Sequence, residues 1–570
     1  MKLFTRTINQ IILITISFVL FQNFGVYANE NEGVVTFKYR NNGKVMDNVL
    51  LKMYYKDGIV GYESTNRSSA ASKEKQYLNY KNKYTYQVLT SDPDELYFTK
   101  KLFDDYEKAE LLYETENILG YDCNKAVLKI KSNTIEIWYT NELKLKGSPR
   151  ISVAPGIGLI LKMVRNRDYE VFATDIEFRK VSNEELLFDL SNAKEVSDAA
   201  YLRKVIDSRY QTISIFNHEQ INFGDTIDNS EEGLINKSYR YSKGTVLLKK
   251  IKLPKITVGS IVMAEINQWS NGDAYDRTGS LFIIPIDTKI SFLDAFKKGI
   301  DQVPVYNDKH GTEYQGVIRT ENYEPPLELM RFFTPFGVGA FNNYTKIDGY
   351  VWEDSAKYSQ EITEVIPHDG REVWVGIFIG NYDKGGHKVS LKFKIHPSWR
   401  PSEKIENLWV RSIFNTVNIM EMSQQNYGTM FHDDSLKVKV EIPEGLESLK
   451  LIYTSTGHGG WGGGDEFNPK LNEILIDDEM IYKFVPWRDD CATYRLSNPS
   501  SGNFGNGLTS SDLSRSNWCP GSVTIPEIIP LNNISPRQHT IKVAIPIGEK
   551  EGGSFSAWCV SGTLVGKYKE

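Results

Sequence analysis

The chain has 570 residues and interspersed charge, 67 basic against 73 acidic side chains for a formal net of −6. That pattern leaves no electrostatic footprint for nucleic acid, and neutral or apolar partners fit it better. The length fits about three or four domains of roughly 150 residues, with ample room for large cores.

Lys2 and Arg6 precede an apolar stretch from Ile11 to Phe21 that runs on to Val26-Tyr27-Ala28. This predicts a secretory signal over residues 1–28, cut near Ala28, and no Cys follows the stretch to take a lipid anchor. No later run approaches the roughly 18 to 20 apolar residues that a membrane span needs. The mature protein is therefore expected to be soluble and either secreted or periplasmic. An exported chain with four cysteines can form disulfides. Cys491 and Cys519 are close in sequence and share a loop-rich region, so the sequence pairs only these two, Cys123 and Cys559 lying far from them and from each other.

Alternation of apolar and polar residues dominates: Ile135, Ile137 and Tyr139; Val389, Leu391, Phe393 and Ile395; Leu436, Val438, Val440 and Ile442; Ile541, Val543 and Ile545. A period of two marks half-buried strands, and 21 prolines with 43 glycines suit the many turns of an all-β chain. The clearest helical spacing runs from Asn183 to Tyr210, with Ser191-Asn192 as a possible interruption. Two prolines around His396–Pro401 end a strand and start a new β block. These changes predict an N-terminal accessory domain over 29–211 and two β blocks over 212–396 and 397–570.

The eight histidines never fall in an HxH, HExxH or Cys-His arrangement, so no metal site and no cofactor are predicted. There is no GxSxG elbow either. Two segments could carry chemistry. In Asp273-Ala274-Tyr275-Asp276-Arg277, before the strand Ser280–Ile284, an acid beside a base could orient a water, although such a pair is more often a surface turn. In Ser455–Phe467, glycines around His458 and Trp461 would admit a ligand to flat side chains suited to sugar rings; the bland alternative is a flexible loop with one anchoring aromatic.

Read in order, these segments resemble the bacterial peptide-N-glycosidase F family, the peptide-N4-(N-acetyl-β-glucosaminyl)asparagine amidases. Ile213–Asp225 resembles the family's first strand and loop, Tyr275-Asp276-Arg277 its Trp-Asp-Arg, and Arg331-Phe332-Phe333-Thr334-Pro335-Phe336 its Arg-Phe-Ile-Thr-Pro-Tyr. His458 falls at its Gly-Trp-Gly-His, Glu466 at its Ala-Glu-Trp-Cys, and Arg515–Gly521 resembles its Arg-Ala-Gly-Trp-Cys-Pro-Gly. The resemblance covers roughly residues 213–570. It implies an all-β fold of two antiparallel eight-stranded jelly rolls side by side, with the site in the cleft between them.

It also implies roles. Asp276 would be the water-activating base and Glu466 a second carboxylate facing the first N-acetylglucosamine and the scissile nitrogen. Arg277 and Arg515 would hold Asp276 ionised and stabilise developing negative charge. Tyr275, His458, Trp461 and Tyr382 would contact sugar, and Trp518 would pack the cleft. The Cys491–Cys519 bridge matches a family disulfide. A third family carboxylate falls here on Gly380, with Asp383, Glu353 and Asp354 as possible substitutes. Cysteines flanking the family's Glu are replaced by Gly464 and Asn468, so that loop is expected to be held by packing.

Residues 30 to about 190 lie outside this resemblance. Their Ile118-Leu119-Gly120-Tyr121-Asp122-Cys123 and Pro155-Gly156-Ile157-Gly158-Leu159-Ile160 look like small exported GLPGLI-type proteins of Gram-negative bacteria, and longer members of the amidase family carry an additional N-terminal domain. A spacing or folding role is favoured for it over glycan recognition. The expected partners are N-glycosylated proteins or peptides, met by a monomer because one chain supplies both walls of the cleft. The alternative is an inactive glycan-binding protein on the same fold.

Overall fold

A computed structural model describes residues 31–65, 73–92, 95–224, 229, 233–398, 402–460, 463–501, 507–546 and 556–569. The expected signal segment and Trp461 lie outside the described residues. The chain divides between Arg209 and Tyr210 into two compact units. Among the described residues no helix is long and apolar enough to cross a membrane.

The first unit is built on one twelve-stranded sheet. From Glu32–Asn41 the strands Lys44–Lys56, Ile59–Ser64, Glu74–Asn79, Tyr84–Asp92 and Glu95–Leu102 follow one another outward as an antiparallel meander. Tyr169–Phe178 pairs along the other side of Glu32–Asn41, followed by Leu159–Arg165, Asn133–Thr140, Tyr121–Ile130 and Glu110–Ile118. Val35, Phe37, Met53, Leu78, Ile137 and Leu161 are buried in its core.

The predicted helix over 183–210 is two helices separated by a strand. Ser182 caps Asn183–Leu186 in a capping box with Glu185, and Leu187 ends it in the left-handed region, at φ 47°. Ala193–Glu195 then pairs in parallel with Leu96–Phe98, and Ser197 caps the second helix, Asp198–Asp207. Local side-chain oxygens and one edge-strand pairing divide what the apolar spacing had joined.

The second unit contains two sandwiches. In the first, Gln211–Ile221, His387–His396, Ile261–Ser270 and Ala356–Glu361 form a sheet in that order. It faces Ser238–Tyr241, Val246–Lys252, Glu372–Ile379, Thr278–Ile284, Leu327–Phe333 and Val523–Thr524, across a core that includes Ile266, Leu281, Val375 and Phe393. In the second, Leu408–Asn415, Ala557–Tyr568, Leu446–His458 and Glu527–Pro530 face Ser435–Glu441, Gln538–Ala544, Asn472–Ile476 and Glu479–Phe484. Apart from the hairpins Ser238–Tyr241 with Val246–Lys252 and Asn472–Ile476 with Glu479–Phe484, the neighbours are non-consecutive in sequence, as jelly-roll crossovers require. The alternating residues read from the sequence, such as Val389, Leu391 and Phe393, point inward. Burying each such side chain contributes roughly 1.5–3 kcal/mol.

Several strands depart from alternation, among them Glu372–Ile379 and Ala557–Tyr568. Glu372–Ile379 is buried at all but its first residue and Ala557–Tyr568 at all but its last two, because both faces of each are covered. The halves are also tied together. Val523–Thr524 pairs onto Arg331 and Phe332 of the first sandwich. Beneath that junction the fully buried Arg331 bonds Glu328 at 2.6 Å and donates to Thr456 Oγ1 and the Cys559 carbonyl, both at 2.9 Å.

Candidate active site

The strand Ile261–Ser270 runs into a loop whose shape is set by Asp273. Its buried carboxylate accepts from Arg277 Nε at 2.7 Å, Arg277 Nη2 at 3.2 Å and the Tyr275 N–H at 3.1 Å, and lies 3.4 Å from His387 Nε2. Burial works against the Asp273 charge, but His387 and Arg277 outweigh it and lower its pKa to about 2. From the neighbouring strand Thr334 pins the backbone: its hydroxyl donates to the Tyr275 carbonyl at 3.1 Å and accepts from the Arg277 N–H at 2.8 Å. Asp276, between these two fixed residues, is turned into the cleft.

Glu466 is presented by the second sandwich. Ser516 N–H donates to the Glu466 carbonyl at 3.0 Å, Ser516 Oγ donates to the Asp465 carbonyl at 2.5 Å, and Trp558 Nε1 holds the Asp465 carboxylate at 2.8 Å. The loop was expected to rely on packing, yet a hydrogen bond closes it: Asn468 Nδ2 donates to the Gly464 carbonyl.

Arg515 joins the two acids. Its Nη1 lies 3.0 Å from Asp276 Oδ2 and 2.6 Å from Glu466 Oε1, while Nη2 donates to the Ser510 carbonyl and hydroxyl. The guanidinium is 1% exposed and lies over Trp518 at 4.3 Å and Phe467 at 5.2 Å. The backbone of Arg515 pairs with that of Arg488, near the Cys491–Cys519 disulfide. Cys123 and Cys559 are free and buried.

Burial raises the pKa of Asp276 despite the attraction of Arg515. Burial also raises Glu466, to about 7, against the pull of Arg515 and with the help of the Asp276 charge. Both carboxylates remain within reach of solvent, 18% and 17% exposed. Such a pair, with a fixed cation between its members, can take up and hand on a proton near neutrality.

The other predicted residues take distinct places. Arg277 is held by Asp273 rather than by Asp276, and its charge is a minor influence on Asp276. Its guanidinium lies 5.1 Å from the Tyr275 ring and 5.6 Å from the Tyr382 ring, and both rings are exposed. Trp518 is buried, stacked on Phe333 at 4.4 Å, and offers a support for Arg515 rather than a face to a ligand. His458 adjoins that stack and bonds Thr456 Oγ1 at 2.9 Å; burial first, then Arg331 and Arg515, lower its pKa to about 3, so it is neutral at working pH.

At Gly380 the sequence offered no carboxylate. A Cβ built there would lie 3.5 Å from Glu421 Oε2, and the hydroxyls of Tyr382 and Tyr427 both donate to Glu421 Oε1. Of the substitutes read from the sequence, Asp383 accepts the N–H groups of Gly385 and Gly386, Glu353 pairs with Lys357, and Asp354 borders a separate groove. Glu421 and Asp273 were missed as site residues. Asp273 was visible at spacing i, i+4 to Arg277, but Glu421 comes from the other β block and no spacing announces it.

Residues 212–395 match the family model described as peptide-N-glycosidase F, N terminal, residues 426–565 match its C-terminal counterpart, and residues 35–202 match the N-glycanase peptide, N-terminal domain. The solved structure of PNGF-II in space group C2 is 41% identical, covers 95% of this chain and 98% of that chain, and superposes with a TM-score of 0.83. The P21 form is also 41% identical, with coverage of 95% and 100% and a TM-score of 0.83. PNGase F, a glycosylasparaginase from Flavobacterium meningosepticum, is 16% identical over 63% of this chain and 96% of that chain, with a TM-score of 0.43. No curated protein matches the chain. Matched by these domain models and by PNGF-II over nearly its whole length, the chain belongs to the peptide-N-glycosidase F family.

Proposed function

We propose that this protein is an amidase that hydrolyses the bond between Asn and the innermost N-acetylglucosamine of N-linked glycoproteins, releasing the glycan and leaving Asp. The observation that carries this reading is Arg515 Nη1 shared between Asp276 and Glu466, one acid from each sandwich. A lectin has no use for two half-buried carboxylates locked on one buried guanidinium.

Asp276 takes a proton from water, and the oxygen attacks the amide carbonyl. Such a base typically supplies 10²–10⁴-fold. The oxyanion forms beside the Arg515 guanidinium. As the C–N bond breaks, the proton passes to nitrogen, giving a carboxylic acid and a glycosylamine. Ionised Glu466 fixes Arg515 and accepts hydrogen bonds from the first sugar. Tyr275 and Tyr382 offer it exposed ring faces, and Glu421 serves as the third carboxylate. The enzyme is exported and acts as a monomer, without a metal.

The test is digestion of a denatured N-glycoprotein, with and without EDTA and beside Asp276→Ala, followed by peptide mass spectrometry. Conversion of glycosylated Asn to Asp, insensitive to chelator and absent in the variant, supports the amidase. Intact glycopeptides retained on the immobilised protein would instead support the glycan-binding alternative.

A further inference from the structure

Outside the cleft, the end of the first sandwich's four-stranded sheet carries a groove of about 450 Å³ lined by His218, Trp269, Asn271, Gly339, Asp354 and Lys388 among others. Along Ile261–Ser270 burial alternates, which puts Trp269 on the outward face, directly across the ladder from Lys388. The adjoining strand bulges between Phe216 and Glu219. In that bulge His218 sits at φ 54°, its N–H donates to Ser390 Oγ at 2.8 Å, and its ring meets the Trp269 ring edge-on at 4.7 Å. A left-handed histidine is a strained conformation held by its surroundings, and bulges of this kind commonly re-aim a side chain next to a site.

The opposite wall is equally ordered. Gly339 N–H donates to Asn342 Oδ1 at 2.9 Å, and a Cβ at Gly339 would lie 3.3 Å from Trp269 Cδ1 and 2.7 Å from the Asp354 carbonyl. Asp354 and Lys388 make no ion pair among the described residues. The groove therefore combines an aromatic ring with an unpaired carboxylate, an unpaired ammonium and an imidazole. An apolar ring face edged by hydroxyl groups matches that combination, whereas a strongly charged ligand of either sign would meet one repelling group.

We propose that this groove is a second sugar subsite, taking a neutral hexose of the same N-glycan whose amide the cleft cleaves. The proposal rests on the amidase reading for its substrate. Gly272, which also lines the groove, is four residues from Asp276, so the two are at most about 14 Å apart, within reach of a few linked sugar rings. The glycan would run from the catalytic acid over the loop that Asp273 holds, and the groove would select for its outer sugars.

The experiment has a binding arm and a turnover arm, both on the whole protein. In the first, Asp276→Asn protein is titrated calorimetrically with a free high-mannose N-glycan and with the same glycan trimmed to chitobiose. The full glycan should bind about tenfold more tightly, one power of ten in Kd, and Trp269→Ala or Lys388→Ala should erase the difference. In the second arm, either substitution made in the active protein should raise KM for a high-mannose glycopeptide while leaving a chitobiosyl glycopeptide unchanged. Lys388→Ala, on a polar outward position, guards against misfolding of the Trp variant. Equal binding of the two glycans, equal effects on both substrates, or displacement by an unglycosylated peptide would overturn the subsite. Failure of the unsubstituted protein to cleave either glycopeptide would sink the amidase reading alone, since the binding arm still reports on the groove.

Discussion

The Asn468 side-chain amide donates to the Gly464 carbonyl at 2.9 Å, joining the two positions where the family resemblance places cysteines around the catalytic Glu. A Cβ at Gly464 would stand 1.3 Å from the Gly459 carbonyl oxygen. The double substitution Gly464→Cys with Asn468→Cys should therefore lower both melting temperature and turnover, in reducing and oxidising buffer alike. Asn468→Ala should cost about 1 kcal/mol, readable by urea denaturation. A double-cysteine protein more stable than the parent would contradict this account of the loop.

Glu466 makes activity and stability respond to pH in opposite senses. Its folded pKa of about 7 lies above the ordinary 4.5. The folded state thus keeps a proton that the unfolded chain has lost between those values, and stability falls as pH rises through this window, by on the order of 3 kcal/mol. Glu466→Gln should then gain in melting temperature over the parent at pH 8 but not at pH 4. The proposed mechanism needs the ionised pair, so kcat/KM should drop as pH falls through about 7, an apparent value belonging to the Asp276–Glu466 couple rather than to either acid. A pH-independent difference in melting temperature would refute the linkage.

Asp273 works the other way. Its pKa is depressed to about 2, so its contribution is present above about 4 and is lost as pH falls toward 2, on the order of 2 kcal/mol. Asp273→Asn should remove that part of the acid sensitivity and free Arg277, with a loss of turnover although Asp273 touches no substrate. Acid denaturation curves for parent and variant measure the first effect directly.

Glu421→Gln should lower kcat/KM by roughly 10–100-fold, whereas Glu353→Gln, whose partner is the exposed Lys357, should leave it unchanged. Steady-state kinetics on one glycopeptide distinguishes the two. Equal effects would remove Glu421 from the site.

What the sequence made legible follows from where the physics is local. Alternation in Val389–Ile395 reports one buried face and is visible residue by residue. Ala557–Tyr568, covered on both faces, has no such signature. Over 183–210 the spacing gave the helical character and a possible break at Ser191-Asn192, but not the extent of the break, because Ser182 and Ser197 start separate helices by hydrogen bonds that apolar spacing does not register. At the site, Asp276, Glu466 and Arg515 were placed through family motifs, and the structure brings these three together. The Arg277–Asp273 pair is local, at i, i+4, but that Glu421 lies beside Gly380 depends on a contact between segments about 40 residues apart that no spacing announces.

The strand Val523–Thr524, laid across Arg331 and Phe332 from the other sandwich, leaves little freedom for the halves to part. Opening the cleft would break that ladder and expose the Glu328–Arg331 pair, whose loss of partners in a buried site costs several kcal/mol. The jaws therefore have a fixed gape. On the proposed amidase reading, a glycosylated Asn on a rigid surface must leave its own fold to reach Asp276, so the deformability of the glycoprotein, rather than any closure of this protein, should decide which sites are trimmed first.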